Sequence, residues 1–271
     1  MNETSQDDQE LLRVINGSGF PLQIALQNAV ESSSIDWKIA HREHAWSNAN
    51  DGQSGFIDFV AQTSGGNDSV VVECKRVKDT SWLFLGHTGI AKDQSVFKAW
   101  ATAYPHAKPP YFGWADLRIP LATPEGQFCC IRGQSGNDKN TFLERVAAEL
   151  ISATEALASE EREYRNEARE SCRLYFSVIV TTAPLYFASF DSDALNLADG
   201  TLSRANFTRV PYLRVRKQFS MNAKPLSSQD FHSQNDMDFK RENTVFVVEA
   251  AHFVKFLGEL QVDKINVRGI T

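Results

Sequence analysis

Ser69 to Lys78 reads SVVVECKRVK, a run of valine that ends by placing a carboxylate and an amine two residues apart. Side chains of an extended strand alternate faces, so Glu73 and Lys75 point the same way, roughly 7 Å apart along the chain. Val72 and Cys74 point the other way, into core. The valine run itself reads as a buried strand. An acid and a base that emerge together from such a strand are costly unless they are paired, solvated or holding a metal.

The neighbouring sequence favours the metal. Upstream, GFIDFVAQ (55–62) reads as a second strand, and TSGGND as the hairpin turn that joins the two. Asp58 precedes Glu73 by fifteen residues, and a hairpin of that length sets the two carboxylates side by side on adjacent strands. Two close carboxylates will not both ionise comfortably without a cation. Oxygen ligands of this kind suit Mg²⁺, with Mn²⁺ as its substitute, because that ion takes one or two protein carboxylates and keeps waters and substrate phosphate. The Cys74 backbone carbonyl is a further ligand, and Lys75 is placed to orient or deprotonate a water or to meet a phosphate.

Further out, DWKIAHREHAW (36–46) alternates as a strand, and Pro21 opens a largely buried helix that ends near Ser32. A polar lead-in, residues 1–19, carries a short helix through Leu11, Leu12 and Ile15. AKDQSVFKAWATAY (91–104) reads as a helix, and QFCCIRGQ (127–134) as a short strand. Apolar residues from Phe142 to Ala158 recur at helical spacing, Thr141 and Glu144 fit a capping box, and the helix is expected to run to about Arg169. CRLYFSVIVTT (172–182) is a strongly apolar strand. APLYFASF and VPYLRVRKQF read as strands, and TVFVVEAAHFVKFLGEL as a strand and a helix.

Helix, strand, strand with Asp58, strand with Glu73-x-Lys75, helix, strand: this order resembles the PD-(D/E)XK nuclease superfamily. The resemblance covers roughly residues 20–182 and rests on Asp58 in GFIDFV and on Glu73 and Lys75 in VVVECKR. It implies an α/β, restriction-endonuclease-like core with a mixed sheet, an insertion at about 77–138, and residues 183–271 as a C-terminal α+β extension packed on the core. It also implies that Asp58 and Glu73 bind a divalent metal while Lys75 assists the attacking water. Many members add a glutamate from the first helix. Glu31 occupies that place, and Glu43 competes for it. The family's motif often has Pro before its Asp, where this chain has Ile57. The function so implied is phosphodiester hydrolysis, foremost by a DNA endonuclease in bacterial defence or DNA processing. The alternative is a non-catalytic nucleic-acid or protein-interaction module on the same fold.

Charge sets conditions on a DNA partner. The net charge is −6, whereas proteins that live on non-specific phosphate affinity are often basic. The charge is uneven, however: Gly200 to Gln229 contains no Asp or Glu, while Glu144 to Glu170 carries eight acids against four bases. An acidic chain of this kind can still present one basic face. Arg214 and Arg216 alternate with Leu213 and Val215 and, with Lys217, are the leading candidates for it. Arg76 and Lys78 follow the Glu73 strand directly, and Gln94 and Lys98 are further candidates for contact with a phosphate backbone. His41 and His44, three apart on a regular strand, face opposite sides and share no metal.

Hydrophobic content of 42% and charged content of 23% are ordinary for a globular chain. No apolar run reaches bilayer length, and the opening MNETSQDDQE is acidic and polar, so no membrane contact is expected. Four cysteines without metal-type spacing read as reduced thiols of a cytoplasmic protein. Cutting both strands of a duplex calls for two sites, which a homodimer supplies, and the absence of any ATPase or base-reading motif leaves room for a partner protein of a multi-component system.

Overall fold

The computed structural model describes residues 6–49, 52–87, 95–104, 110–133, 142–163, 171–219 and 242–262. The valine run is the strand β3 (Asp68–Lys75), and its alternation divides the molecule into two core layers. Val70 and Val72 pack on one side, with Leu26 and Val30 of helix α2 (Phe20–Glu31) and Phe253, Phe256 and Leu257 of helix α4 (Phe253–Glu259). Val71 packs on the other, against Val146, Leu150 and Leu157 of helix α3 (Phe142–Glu163). A strand covered on both faces loses the apolar–polar alternation of an edge strand, which is why the sequence shows a continuous run.

Around β3 lies a nine-stranded mixed sheet. The strands β1 (Trp37–Ser47), β2 (Ser54–Thr63) and β3 form an antiparallel meander. β3 then runs parallel to the long strand β9 (Ser171–Thr181). On its far side β9 has two partners. β5 (Val96–Tyr104) pairs with its first half, and β13 (Asn243–Glu249) with its second. β6 (Tyr111–Arg118) pairs with β5. β12 (Tyr212–Lys217) and the short β7 (Glu125–Gly126) continue the sheet beyond β13. Thus part of the stretch 183–271 is integral to the main sheet. The protein is α/β with a mixed sheet.

A second sheet has the order β11 (Asn206–Arg209), β10 (Leu185–Phe190), β4 (Trp82–His87), β8 (Phe128–Ile131). Trp82 and Phe84 of β4 join the α3 side of the core. Gly126 of β7 passes so close to this sheet that a Cβ there would lie 2.9 Å from the Phe84 Cβ, which explains the absence of a side chain. Helix α1 (Gln6–Gly17) contributes no buried residue. No helix among the described residues is long and apolar enough to cross a membrane.

One element differs in type from the sequence reading. Within 91–104 the described residues Val96–Tyr104 are strand β5, not helix. Three alanines raise helix propensity here, but they stand at alternate positions with Phe97 (Ala99, Ala101, Ala103) and fill one face of a strand whose register is fixed by β6 and β9. Tertiary pairing overrides the local preference. Thr141 of the expected capping box, and residues 164–169 of the expected helix, lie outside the described residues.

Candidate active site

The β2–β3 ladder ends at the pair Phe59–Val72. Earlier in β2, Gly55, Phe56 and Ile57 pair only with β1, so the two strands part like a fork. Asp58 sits at the crotch. Its Oδ2 accepts the Cys74 backbone N–H at 2.6 Å, taking the place of the next rung. The N–H and C=O of one residue in an extended strand point to the same side, so the Cys74 carbonyl also faces the fork. On the other flank, Gln23 of α2 donates to the Asp58 carbonyl.

Glu73 and Lys75 leave β3 on one face, and the Lys75 ammonium donates to Glu73 Oε1. Burial pushes the Asp58 carboxyl up, against the pull of the Cys74 N–H and the Lys75 charge, while the Glu43 charge adds to the rise. Burial, and next the Asp58 charge, push Glu73 up; Lys75 opposes this and Glu149 of α3 adds to it. Two partly buried carboxylates that resist ionisation together form a site short of positive charge.

Does a divalent ion fit? Among the described residues no three His, Cys, Asp or Glu side chains are gathered as a ready ligand set. The protein therefore offers two carboxylates and one carbonyl. A carboxylate has more acceptor positions than the single contact Oδ2 makes to the backbone or Oε1 makes to Lys75, so both keep lone pairs for an ion. This donor set matches a hard cation that retains most of its waters, as Mg²⁺ does, rather than a fully caged one.

Glu73 opens onto a cleft of about 1120 Å³ between the start of β2, the first half of α3 and the end of β12. Trp46, Phe56, Arg145, Glu149 and Lys217 line it. None but Lys217 stands out in the sequence, since the cleft joins three segments distant from one another along the chain. The buried Gln23 on an apolar helix face was the one local signal available.

Several expected site residues stand elsewhere. Glu31 is exposed and paired with Arg42, which Gln27 also holds at 2.6 Å, and the carboxylate that acts on Asp58 from outside the motif is Glu43. Arg214 does not project into solvent. β12 is an inner strand, flanked by β13 and β7, and the fully buried guanidinium lies 3.0 Å from Glu125. Arg216, 9% exposed, binds Asp116 and Glu242, each at 2.9 Å. Lys98 is buried, with its ammonium 3.8 Å from Asp116. Arg76 is partly exposed and Lys78 exposed just beyond β3, whereas Gln94 lies outside the described residues. Of the expected basic surface on β12, Lys217 alone lines the cleft, paired with Glu144.

Comparison with protein-family models, with curated proteins and with solved structures finds no match.

His41 and His44 also correct an expectation. A register shift between Ile39 and His41, together with a left-handed backbone at Glu43 (φ 51°), breaks the strand's alternation. The two rings come within 4.8 Å, on the side of α3. They pair there with Glu161 at 3.7 Å and Glu160 at 2.9 Å. Burial opposes ionisation of Glu161, but hydrogen bonds from His41 and Tyr175 and the Arg173 charge outweigh it, and its pKa falls to about 2. The cluster ties β1 to α3 through the two imidazoles and β9 to α3 through the Arg173–Glu161 ion pair.

Proposed function

We propose that this protein is a metal-dependent nuclease of the PD-(D/E)XK type, with DNA as the foremost substrate. The observation that carries the reading is the fork, where Asp58, Glu73 and Lys75 converge beside an open cleft and both carboxylates are pushed up by burial. The order α2, β1, β2, β3, α3, β9, with β4 to β8 inserted between β3 and α3, supports it.

Asp58 and Glu73, with the Cys74 carbonyl, would hold Mg²⁺ or Mn²⁺. Such an ion supplies positive charge to the phosphoryl oxygens and makes water a better nucleophile. Lys75, held at Glu73, orients the attacking water and offsets the charge that develops on phosphate. Asp58 fixes the end of β3 through the Cys74 N–H, so the backbone that carries Glu73 and Lys75 is positioned before substrate arrives.

The test is cleavage of supercoiled plasmid and of linear DNA with Mg²⁺, Mn²⁺ or chelator. Cleavage is expected with metal, absent with chelator, lost in Asp58→Asn and about 10²–10³-fold slower in Lys75→Ala, the usual cost of removing one preorganised donor. A wild-type protein that cuts no nucleic acid with either ion removes the proposal. One observation favours the second reading, a non-catalytic binding module: Lys75 and Glu73 already satisfy each other. That reading predicts nucleic-acid or protein binding that survives Asp58→Asn, and no cleavage.

A further inference from the structure

Asp58 stands outside the register of its own sheet. Every other residue of β2 has a cross-strand partner on β1, and the pairing with β3 begins only at Phe59. On β1 the gap falls at Glu43, whose left-handed backbone (φ 51°) lies between the paired residues Arg42 and His44. Buried and half-buried backbone carbonyls are nearly always bonded. That of Asp58 finds its donor outside the sheet, in the Gln23 side chain of α2, thirty-five residues earlier.

Gln23 is 7% exposed and shares the buried face of α2 with Leu26, Gln27 and Val30. An amide on such a face is unfavourable unless it is bonded. A carbonyl can only accept, so the contact is made by the amide nitrogen Nε2, and this fixes which way the amide faces. Asp58 is therefore held at two points. Its carbonyl is held from α2, and its carboxylate is held by the Cys74 N–H. With no register partner on either neighbouring strand, the direction of the carboxylate depends on both contacts. Gln27, one turn on, is the natural comparison. It is equally buried on the same face, but its amide oxygen accepts from Arg42 Nη1 at 2.6 Å. One glutamine serves β1, the other the fork.

We infer that Gln23 is a positioning residue of the fork: by holding the Asp58 carbonyl from α2, it aims the Asp58 carboxylate at a divalent ion shared with Glu73. The inference rests on the metal site of the nuclease reading and extends that site to α2.

The test compares the full chain carrying Gln23→Met with the full chain carrying Gln27→Met. Methionine keeps a flexible, unbranched side chain and removes the amide. In metal-free protein, hydrogen exchange at the Cys74 amide, read by NMR, should speed up by about 10-fold in Gln23→Met, as for the loss of one net hydrogen bond. It should keep its wild-type rate in Gln27→Met. Mn²⁺ binding, read by calorimetry without nucleic acid, should weaken by about 10- to 100-fold in Gln23→Met, the usual cost of removing a group that orients a metal ligand. Gln27→Met should bind Mn²⁺ as wild type does. Both variants should melt below wild type by similar amounts, since each loses one buried hydrogen bond. Equal loss of Mn²⁺ affinity in the two variants, unchanged affinity or unchanged Cys74 exchange in Gln23→Met, a Gln23→Met chain that does not fold, or a wild-type protein that binds no Mn²⁺ overturns the inference. Plasmid cleavage separates the two readings. A Mn²⁺ site that depends on Gln23, in a wild-type protein that cuts nothing, leaves this inference standing and removes the nuclease; cleavage whose metal dependence is unaltered by Gln23→Met does the reverse.

Discussion

Replacing Arg214 with Met tests whether the arginines of β12 are structural or meet a ligand. The guanidinium is fully buried and reaches Glu125 Oε2 at 3.0 Å, and Glu125 is only 10% exposed. Taking two charges out of water costs several kcal/mol per ion, and their mutual attraction offsets this only while both are present. Arg214→Met removes one and leaves Glu125 charged in a poorly solvated place, at a cost of about 3–5 kcal/mol. At roughly 2.1 cal/mol/K per residue, the unfolding entropy of a 271-residue chain is about 0.6 kcal/mol/K. The melting temperature should therefore fall by about 5–9 °C. Glu125→Leu alone should cost a similar amount, because it removes the carboxylate 3.0 Å from a fully buried guanidinium. The double variant should recover most of the loss, since a buried pair is often replaced by apolar side chains at little cost. Thermal melts of the four proteins read the cycle, and anisotropy with labelled DNA reads binding. A single Arg214→Met variant that melts with wild type but binds nucleic acid tenfold more weakly would refute the reasoning and restore the solvent-facing arginine.

Two predictions concern the carboxylates expected as metal ligands. In metal-free protein Asp58→Asn should raise the melting temperature at pH 7, because burial penalises the ionised carboxylate and the amide keeps an acceptor for the Cys74 N–H. A carboxyl raised on folding binds more protons in the native than in the unfolded state. Wild-type stability therefore falls as pH rises from the ordinary carboxylate value through the native one, and the variant's advantage should shrink on acidification. Mg²⁺ should stabilise wild type but not the variant; a variant that is destabilised at pH 7 in chelator would contradict the burial argument. Glu31→Ala should change stability by no more than about 0.5 kcal/mol, as for an exposed pair, and should leave the metal concentration needed for half-maximal cleavage unchanged. A marked rise in that concentration would return Glu31 to the ligand set.

How much was legible follows from where the information resides. β2, β3 and β9 declare themselves because strands covered on both faces need apolar runs, and α2 and α3 because their periodicity spans several turns. The side-by-side placement of Asp58 and Glu73 follows from one hairpin. The sequence of β5 favours a helix because alanine does so in isolation, while its inner partner β9 is distant in sequence. The burial of Arg214 was invisible for the same reason: β7, which covers β12, lies near residue 125. His41 and His44 share a side because of a register shift and a left-handed residue, neither of which leaves a mark in the alternation of the sequence.

The fork also explains how a carboxylate pair can sit in a buried sheet at all. Within a continuous ladder, a backbone N–H is satisfied by its neighbour and a side-chain carboxylate must find partners elsewhere. Where β2 turns away from β3, Cys74 loses its rung and Asp58 supplies one. The residue that terminates the ladder is thus the residue that brings negative charge beside Glu73. Structure and chemistry are coupled at this position, so Asp58→Ala removes the side-chain acceptor of the Cys74 N–H and a charge together and cannot apportion its effect between them. Asp58→Asn retains the acceptor. Loss of metal response with β3 intact, as read by an unchanged or raised melting temperature, isolates the charge.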